Sequence, residues 1–119
     1  MKIQQSAEDY LETMLMLQEQ HGYIRSIDIA KKLGVTKPSV SYAVKRLKEN
    51  GYINMEPNGP ITLTDAGYKI AKNIYDRHKA LISFLEKLGV SKEQSEDDAC
   101  KIEHVISDET YQAICKFIK

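Results

Sequence analysis

Three residues near the C-terminus, Cys100, Glu103 and His104, carry side chains that bind metals, and they form the pattern C-x-x-E-H. Residues three and four positions apart lie on one face of a helix, so a helical segment would bring these side chains together. A thiolate, a carboxylate and an imidazole suit a transition metal such as Fe(II), Co(II), Ni(II) or Zn(II). A surface helix with one half-buried cysteine explains the same residues, because free cysteine usually behaves as a small apolar side chain.

Three further side chains that could bind a metal lie far from this cluster in the sequence. Asp9 and Glu12 are three residues apart on a predicted first helix, where acidic residues also interact favourably with the helix dipole. His78 lies midway along a predicted long helix, among charged residues that would equally suit a solvated histidine. Each of these residues taken alone therefore has an ordinary explanation.

Length and composition set broad bounds on the class of protein. The 119 residues have room for one domain or for two small subdomains sharing a core. No apolar run approaches the ~18 residues of a membrane span, and the N-terminal residues lack the apolar core of a signal peptide. Cys100 and Cys115 could form a disulfide, but two cysteines do not make a disulfide scaffold. We therefore expect a reducing, cytoplasmic compartment.

Charge is distributed unevenly, although the formal net charge is zero. Residues 25–50 include seven basic and two acidic residues, whereas residues 91–119 include seven acidic and four basic residues. A neutral protein of this kind could bind a polyanion with the first segment and cations with the second. Solvated helix faces would produce the same distribution.

The basic segment contains two predicted helices around a glycine turn. The first covers residues 27–33, and Gly34 supplies the turn. The second opens at the capping residue Thr36, has Pro38 in its first turn, and ends near Asn50. Two short helices with a basic second helix are typical of a helix-turn-helix, and a helical hairpin with a polar outer face is the alternative.

The remaining predicted elements surround this pair. A helix at residues 6–21, capped by Ser6, precedes it. Strands at 52–56 and 61–63, joined by a turn, follow it and would form a wing. Helices from Thr64 to about residue 88, from 91 or 92 to 106, and from a cap at 107 or 108 complete the order.

The chain resembles, over essentially its whole length, the diphtheria-toxin-repressor and manganese-transport-regulator family of metal-dependent bacterial repressors. The resemblance is carried by S-A-E-D-Y-L-E at 6–12, D-I-A at 28–30, V-T-K-P-S-V-S at 35–41, R-H at 77–78 and A-C-K-I-E-H-V-I-S-D-E at 99–109. It implies a mainly α fold, with an N-terminal winged helix-turn-helix (residues 1–64) and a helical metal-binding and dimerisation domain (65–119). It also implies a homodimer that binds a palindromic operator in double-stranded DNA, without a membrane or an organic cofactor.

The same resemblance implies a ligand set. Cys100 departs from the manganese branch, which has Glu there, and agrees with the iron branch. The iron branch has Met in place of Asp9, and its second site needs a Glu where this chain has Ile82. Glu96, one turn before Cys100, could be a further ligand. The residues that match the manganese-type set are Asp9, Glu12, His78, Glu103 and His104.

Ligand chemistry bears on which metal binds. A thiolate in place of a carboxylate softens the site, and Mn(II) is the weakest binder of the divalent series. We therefore expect Fe(II) to be favoured and Mn(II) to come next, with Zn(II), Co(II) or Ni(II) able to bind in vitro. Because thiolate and imidazole bind metals in their deprotonated forms, affinity should fall on acidification.

For DNA, the resemblance places Thr36, Pro38, Ser39 and Tyr42 at the base-facing positions of the second helix. We assign the lysines of that helix, Lys37, Lys45 and Lys48, to phosphates. Tyr42 stands where the family usually has Gln, so an operator sequence does not transfer. The predicted DNA-binding residues are Arg25, Thr36, Lys37, Pro38, Ser39, Ser41, Tyr42, Lys45, Lys48 and Asn58.

The function predicted from these features is that of a cytoplasmic transcriptional repressor, not an enzyme, that senses a divalent metal and controls genes of metal uptake and homeostasis. One alternative is a winged-helix repressor that responds to a small organic ligand. Another is a small metalloenzyme with Glu103 or Glu12 as general base. It would need an open coordination position and a substrate pocket, for which the sequence has no signal.

Overall fold

The computed structural model describes residues 5–57 and 60–119 and divides into two compact units. The N-terminal unit ends at Lys72 and the C-terminal unit begins at Asn73. The mainly α fold with a two-stranded wing is confirmed. The elements within the described residues are α1 (Gln5–His21), α2 (Ser26–Leu33), α3 (Lys37–Glu49), β1 (Ile53–Met55), β2 (Ile61–Leu63), α4 (Asp65–Lys87), α5 (Lys92–Ile102) and α6 (Asp108–Ile118).

The N-terminal unit has a core made by apolar side chains from its helices, its strands and the connection between α1 and α2. α1 contacts α2, α3 and β2, and α3 contacts β1. Burial of each leucine-sized side chain stabilises the fold by ~1.5–3 kcal/mol, so the helical spacing of these residues determines which face of each helix points inward. The core residues with almost no exposed surface are Leu11, Met14, Ile24, Ile29, Val40 and Ile53.

The turn between α2 and α3 has the predicted helix-turn-helix chemistry. Gly34 adopts φ 68°, a left-handed conformation that favours glycine, and its N–H donates to the Ala30 carbonyl. Thr36 caps α3, because its Oγ1 accepts a hydrogen bond from the Ser39 N–H at 3.2 Å. Pro38 lies in the first turn of α3, as predicted.

The wing is an antiparallel pair in which Ile53 lies opposite Leu63 and Met55 opposite Ile61. Thr64 caps α4, since its Oγ1 accepts from the Gly67 N–H at 3.2 Å while donating to the Gly51 carbonyl at 2.7 Å. A Cβ atom on Gly67 would overlap the Tyr52 carbonyl oxygen. The step L-T-x-x-G at residues 63–67 therefore joins the wing to α4 through a contact that only glycine permits.

The C-terminal unit contains the second half of α4 together with α5 and α6. The rings of Phe84 and Phe117 meet edge to face, with centroids 5.4 Å apart, and the Lys87 ammonium donates to the Ile118 carbonyl at 2.8 Å. Ser91 caps α5 and Ser107 caps α6. No helix in residues 5–57 and 60–119 has the length and apolar character needed to cross a bilayer.

Predicted boundaries differ from the structure in α1, α2, β1 and α5. α2 begins at Ser26 rather than at residue 27, and β1 ends at Met55 rather than at residue 56. Ser6 is not an N-cap, because α1 already includes Gln5. β1 excludes Tyr52, whose N–H donates to Leu47 and whose carbonyl accepts from Thr64. The predicted helix over residues 91–106 ends at Ile102, where a turn replaces the last residues. The sequence predicted that Cys100, Glu103 and His104 lie on one helix. This was wrong, because α5 ends before Glu103 and His104.

Candidate functional site

Four of the predicted metal ligands meet within the C-terminal unit. The Glu103 carboxylate places Oε1 2.7 Å from His78 Nδ1 and Oε2 3.5 Å from His104 Nε2. The Cys100 Sγ lies 4.0 Å from the same His78 nitrogen. The Glu103 side chain is fully buried and that of His104 is 2% exposed, whereas Cys100 is exposed. A carboxylate, two imidazoles and a thiol thus converge at one place.

The position of Glu103 is unfavourable for a carboxylate unless positive charge is close by. Glu103 is the C-cap of α5, where the helix dipole presents partial negative charge. It is also fully buried, and a buried ionised carboxylate is costly unless it is paired or binds a metal. The two imidazoles beside it can supply positive charge when protonated, and a divalent cation can supply more. The donor types fit a transition metal of intermediate softness.

The turn that carries Glu103 and His104 is held on both sides. On one side, the amides of Val105 and Ile106 donate to the Ile102 carbonyl and continue the end of α5. On the other, the Arg77 guanidinium, from the residue before His78 on α4, donates to the Ile106 carbonyl at 2.7 Å. Arg77 is only 12% exposed. This arginine connects the part of α4 that carries His78 to the turn that carries Glu103 and His104.

The other predicted ligands are placed as follows. Glu12 is 5% exposed and Asp9 is half-buried, three residues apart on α1 in the N-terminal unit. Their membership of one ligand set with the C-terminal residues stays a prediction. Glu96 is exposed on α5, and Ile82 is half-buried on α4. Cys100 and Cys115 are free thiols, so the disulfide left open by the sequence is not formed.

The outer face of α3 carries the predicted DNA-binding residues. α3 buries Val40, Val44 and Leu47, and this leaves the opposite face in solvent. At its start the hydroxyls of Thr36 and Ser39 are hydrogen-bonded to each other at 2.9 Å. Asn58 of the wing lies outside the described residues. The predicted residues found exposed are Arg25, Thr36, Lys37, Pro38, Ser39, Ser41, Tyr42, Lys45 and Lys48.

Two of these cations already have partners in the protein. The Lys48 ammonium donates to the Met55 carbonyl at 3.0 Å and so connects α3 to the wing. Arg25 donates to both carboxylate oxygens of Asp28, at 2.9 and 3.4 Å, and this lowers the pKa of that carboxyl. The sequence prediction also missed Arg46, whose guanidinium contacts Tyr42. Its spacing of four residues from Tyr42 on an exposed helix face could have indicated the pair.

The fold and the four-residue cluster place the chain in the class of winged helix-turn-helix proteins that carry a second, helical unit with metal-binding side chains. Two family descriptions match it. Residues 2–60 match the iron-dependent repressor N-terminal DNA-binding domain, and residues 64–119 match the iron-dependent repressor metal-binding and dimerisation domain. The chain belongs to the iron-dependent repressor family.

Individual relatives agree with this assignment. An uncharacterized HTH-type transcriptional regulator from Methanocaldococcus jannaschii is 39% identical over 97% of this chain and 94% of its own length. Transcriptional regulator MntR from Salmonella typhimurium is 39% identical over 92% of this chain and 70% of its own length. A solved manganese-dependent transcriptional repressor in complex with manganese superposes with a TM-score of 0.85 at 30% identity, over 94% of this chain. The chain spans 52% of that solved protein, about half its length.

Proposed function

We propose that the protein is a metal-dependent transcriptional repressor that binds double-stranded DNA as a homodimer. The observation that carries the proposal is the buried Glu103 carboxylate between His78 and His104, beside the Cys100 thiol. This cluster is in the same chain as a helix-turn-helix whose recognition helix has an exposed polar and basic face. We infer a cytoplasmic protein without enzymatic activity, in keeping with the regulators it resembles.

His78, Cys100, Glu103 and His104 would hold the metal, and we propose Asp9 and Glu12 as the ligands that complete the set. A divalent cation would supply positive charge that offsets the carboxylates and the thiolate. The support for the two α1 residues is the family resemblance, together with the burial of Glu12, since a buried carboxylate generally has a cationic partner. Exposed Glu96 has weaker support as a ligand.

The proposed mechanism couples the ligand set to DNA binding. Ligands drawn from both units would restrict the motion of the recognition helix relative to the dimerisation region. Two recognition helices, one per protomer, would then fit successive major grooves of a palindromic operator. A bias of ~1–3 kcal/mol toward this arrangement changes DNA affinity about 5- to 150-fold. Thr36, Ser39 and Tyr42 would face base edges in this arrangement.

We propose Fe(II) as the favoured metal, with Mn(II) next, and genes of metal uptake and homeostasis as the targets. The thiol of Cys100 supports iron, because a softer ligand disfavours Mn(II) relative to the metals after it in the divalent series. The solved manganese-dependent repressor that this chain resembles supports manganese instead. The variant Cys100→Glu tests the difference, since it replaces the thiol with the carboxylate of the manganese branch. It should shift the ratio of Mn(II) to Fe(II) affinity toward Mn(II), measured anaerobically by chelator competition, and an unchanged ratio contradicts the iron assignment.

The function itself is tested with DNA from the gene's own promoter region. The affinity of the protein for this DNA is measured in the presence of Fe(II) under anaerobic conditions, of Mn(II), Zn(II) or Co(II), and of a chelator. The proposal expects tight binding with metal and weak binding with chelator. Equal binding in both would favour a winged-helix repressor that responds to an organic ligand. Metal binding without any DNA binding would favour a metalloenzyme.

A further inference from the structure

The exposed face of α3 contains a tyrosine and an arginine that are in contact with each other. Arg46 donates from Nη1 to the Tyr42 hydroxyl oxygen at 3.1 Å, and its guanidinium carbon lies 5.7 Å from the centre of the Tyr42 ring. Tyr42 is 64% exposed. Both residues lie opposite the buried Val40 and Val44. The pair is thus on the surface that the recognition helix would present to DNA.

The direction of this hydrogen bond determines what Tyr42 can do next. Arginine only donates hydrogen bonds, so the tyrosine oxygen is the acceptor. The single phenolic proton of Tyr42 is then free to point away from Arg46. A cationic donor on the oxygen polarises the O–H bond and makes that proton a stronger donor. The cation over the ring also restricts the orientations of the side chain.

We propose that Arg46 makes Tyr42 an oriented hydrogen-bond donor and that the pair is a specificity determinant of the recognition helix. In the major groove guanine presents the acceptors O6 and N7, and thymine presents the acceptor O4. Adenine presents its acceptor N7 beside an amino donor, and cytosine presents only an amino donor. Tyr42 should therefore select guanine or thymine over cytosine at the base it contacts. The proposal rests on the proposed DNA-binding function and adds a base preference to it.

Three variants separate this role from general attraction to DNA. Tyr42→Phe keeps the ring and removes the proton. Arg46→Met keeps the stem of the side chain and removes the charge and the donor. Lys45→Met is the matched control, because it removes one exposed charge from the neighbouring position of the same helix. Far-UV circular dichroism and the thermal midpoint check that each surface variant keeps the parent fold.

The measurement is the base preference of Mn(II)-loaded protein, obtained by selection from a randomised duplex pool and confirmed by competition with single-base substitutions. Tyr42→Phe and Arg46→Met should both reduce one guanine or thymine preference at the same position, by about three- to tenfold. The double variant should reduce it no further. Lys45→Met should weaken binding to all sequences equally and leave every preference unchanged.

The outcomes distinguish this inference from the function on which it rests. If Arg46→Met keeps the preference that Tyr42→Phe loses, Tyr42 acts alone and the pairing is wrong. If Tyr42→Phe and Arg46→Met both leave every base preference unchanged while the parent binds DNA, the inference is wrong and the proposed function stands. If the parent binds no duplex with Mn(II) and none with Fe(II) under anaerobic conditions, the proposed function and the inference are both wrong.

Discussion

Replacing Glu103 by glutamine should separate the stability of the protein from its affinity for metal. The substitution keeps the shape of the side chain but removes a charge that is fully buried at the C-terminal end of α5. Removing that charge relieves both desolvation and the unfavourable helix dipole. It also weakens the hydrogen bond from His78, 2.7 Å away, by about 1 kcal/mol. These terms oppose each other, so metal-free stability should change by no more than about 1 kcal/mol.

Metal affinity should change much more in the same variant. Residues that only support metal ligands typically contribute 10- to 100-fold to affinity. Because Glu103 is proposed as a ligand itself, we expect Glu103→Gln to lower Mn(II) affinity by at least ~100-fold, or about 2.7 kcal/mol. The stabilisation that Mn(II) gives to the folded parent should be lost to the same extent.

The assay is titration calorimetry with Mn(II), combined with thermal unfolding in Mn(II) and in chelator. Glu93→Gln is the control, because Glu93 is an exposed acid in the first turn of the same helix. It should bind Mn(II) like the parent. A Glu103→Gln variant that binds Mn(II) as tightly as the parent does would contradict the role of Glu103 as a ligand. A variant that is already much less stable without metal would contradict the balance of terms given for the buried charge.

Three further predictions concern the parts of the fold that support these sites. Gly67→Ala should lower the free energy of unfolding, measured by chemical denaturation, by about 1–3 kcal/mol, because its Cβ would overlap the Tyr52 carbonyl. Substitution of the exposed Lys69 by Ala should change this free energy little. Arg77→Met should lower Mn(II) affinity by about 10- to 100-fold in calorimetry, since the ligand-bearing turn loses its link to α4; unchanged affinity would show that other contacts hold the turn. Asp28 has a lowered pKa in the folded state because Arg25 donates to it, so this interaction stabilises the fold above the ordinary carboxyl value of 3.8 and is lost as the pH falls through the lowered value. Urea midpoints of the parent and of Arg25→Gln should therefore converge as the pH is lowered below 3.8, and a constant gap between them would contradict this.

Local signals in the sequence predicted most of the helix boundaries. Thr36, Ser91 and Ser107 each accept a hydrogen bond from the amide three residues later, as expected for capping residues. Gly34 adopts the left-handed conformation expected of a glycine turn. Such signals are readable because the capping residue and its partner are neighbours in the chain.

The end of α5 was not predictable in the same way. No glycine or proline follows Ile102, and apolar residues continue to Ile106, so the sequence continues to favour a helix. The Ile106 carbonyl instead accepts from Arg77, which is 29 residues distant. A contact between distant residues therefore contributes to a boundary that local patterns do not specify.

In the candidate site, too, local spacing predicted the residues that are close in sequence but not the contacts between distant residues. The C-x-x-E-H spacing identified Cys100, Glu103 and His104 as a group. The reason given for the grouping, a shared helix, was wrong, because α5 ends before Glu103. Spacing alone could not bring His78 to Glu103 across 25 residues, and only the family resemblance predicted it. Arg46 was overlooked because it appears in the sequence as one more cation of a basic helix. Its contact with Tyr42 distinguishes it from its neighbours.

Metal binding at this cluster should control DNA binding, and one titration tests this control most directly. Affinity for promoter DNA is measured across a Mn(II) series and in chelator, for the parent and for His104→Ala. The parent should gain about 5- to 150-fold in affinity with metal, and the variant should stay at the value of the parent in chelator. A parent that binds equally in chelator, or a His104→Ala variant that gains affinity as the parent does, would contradict the account.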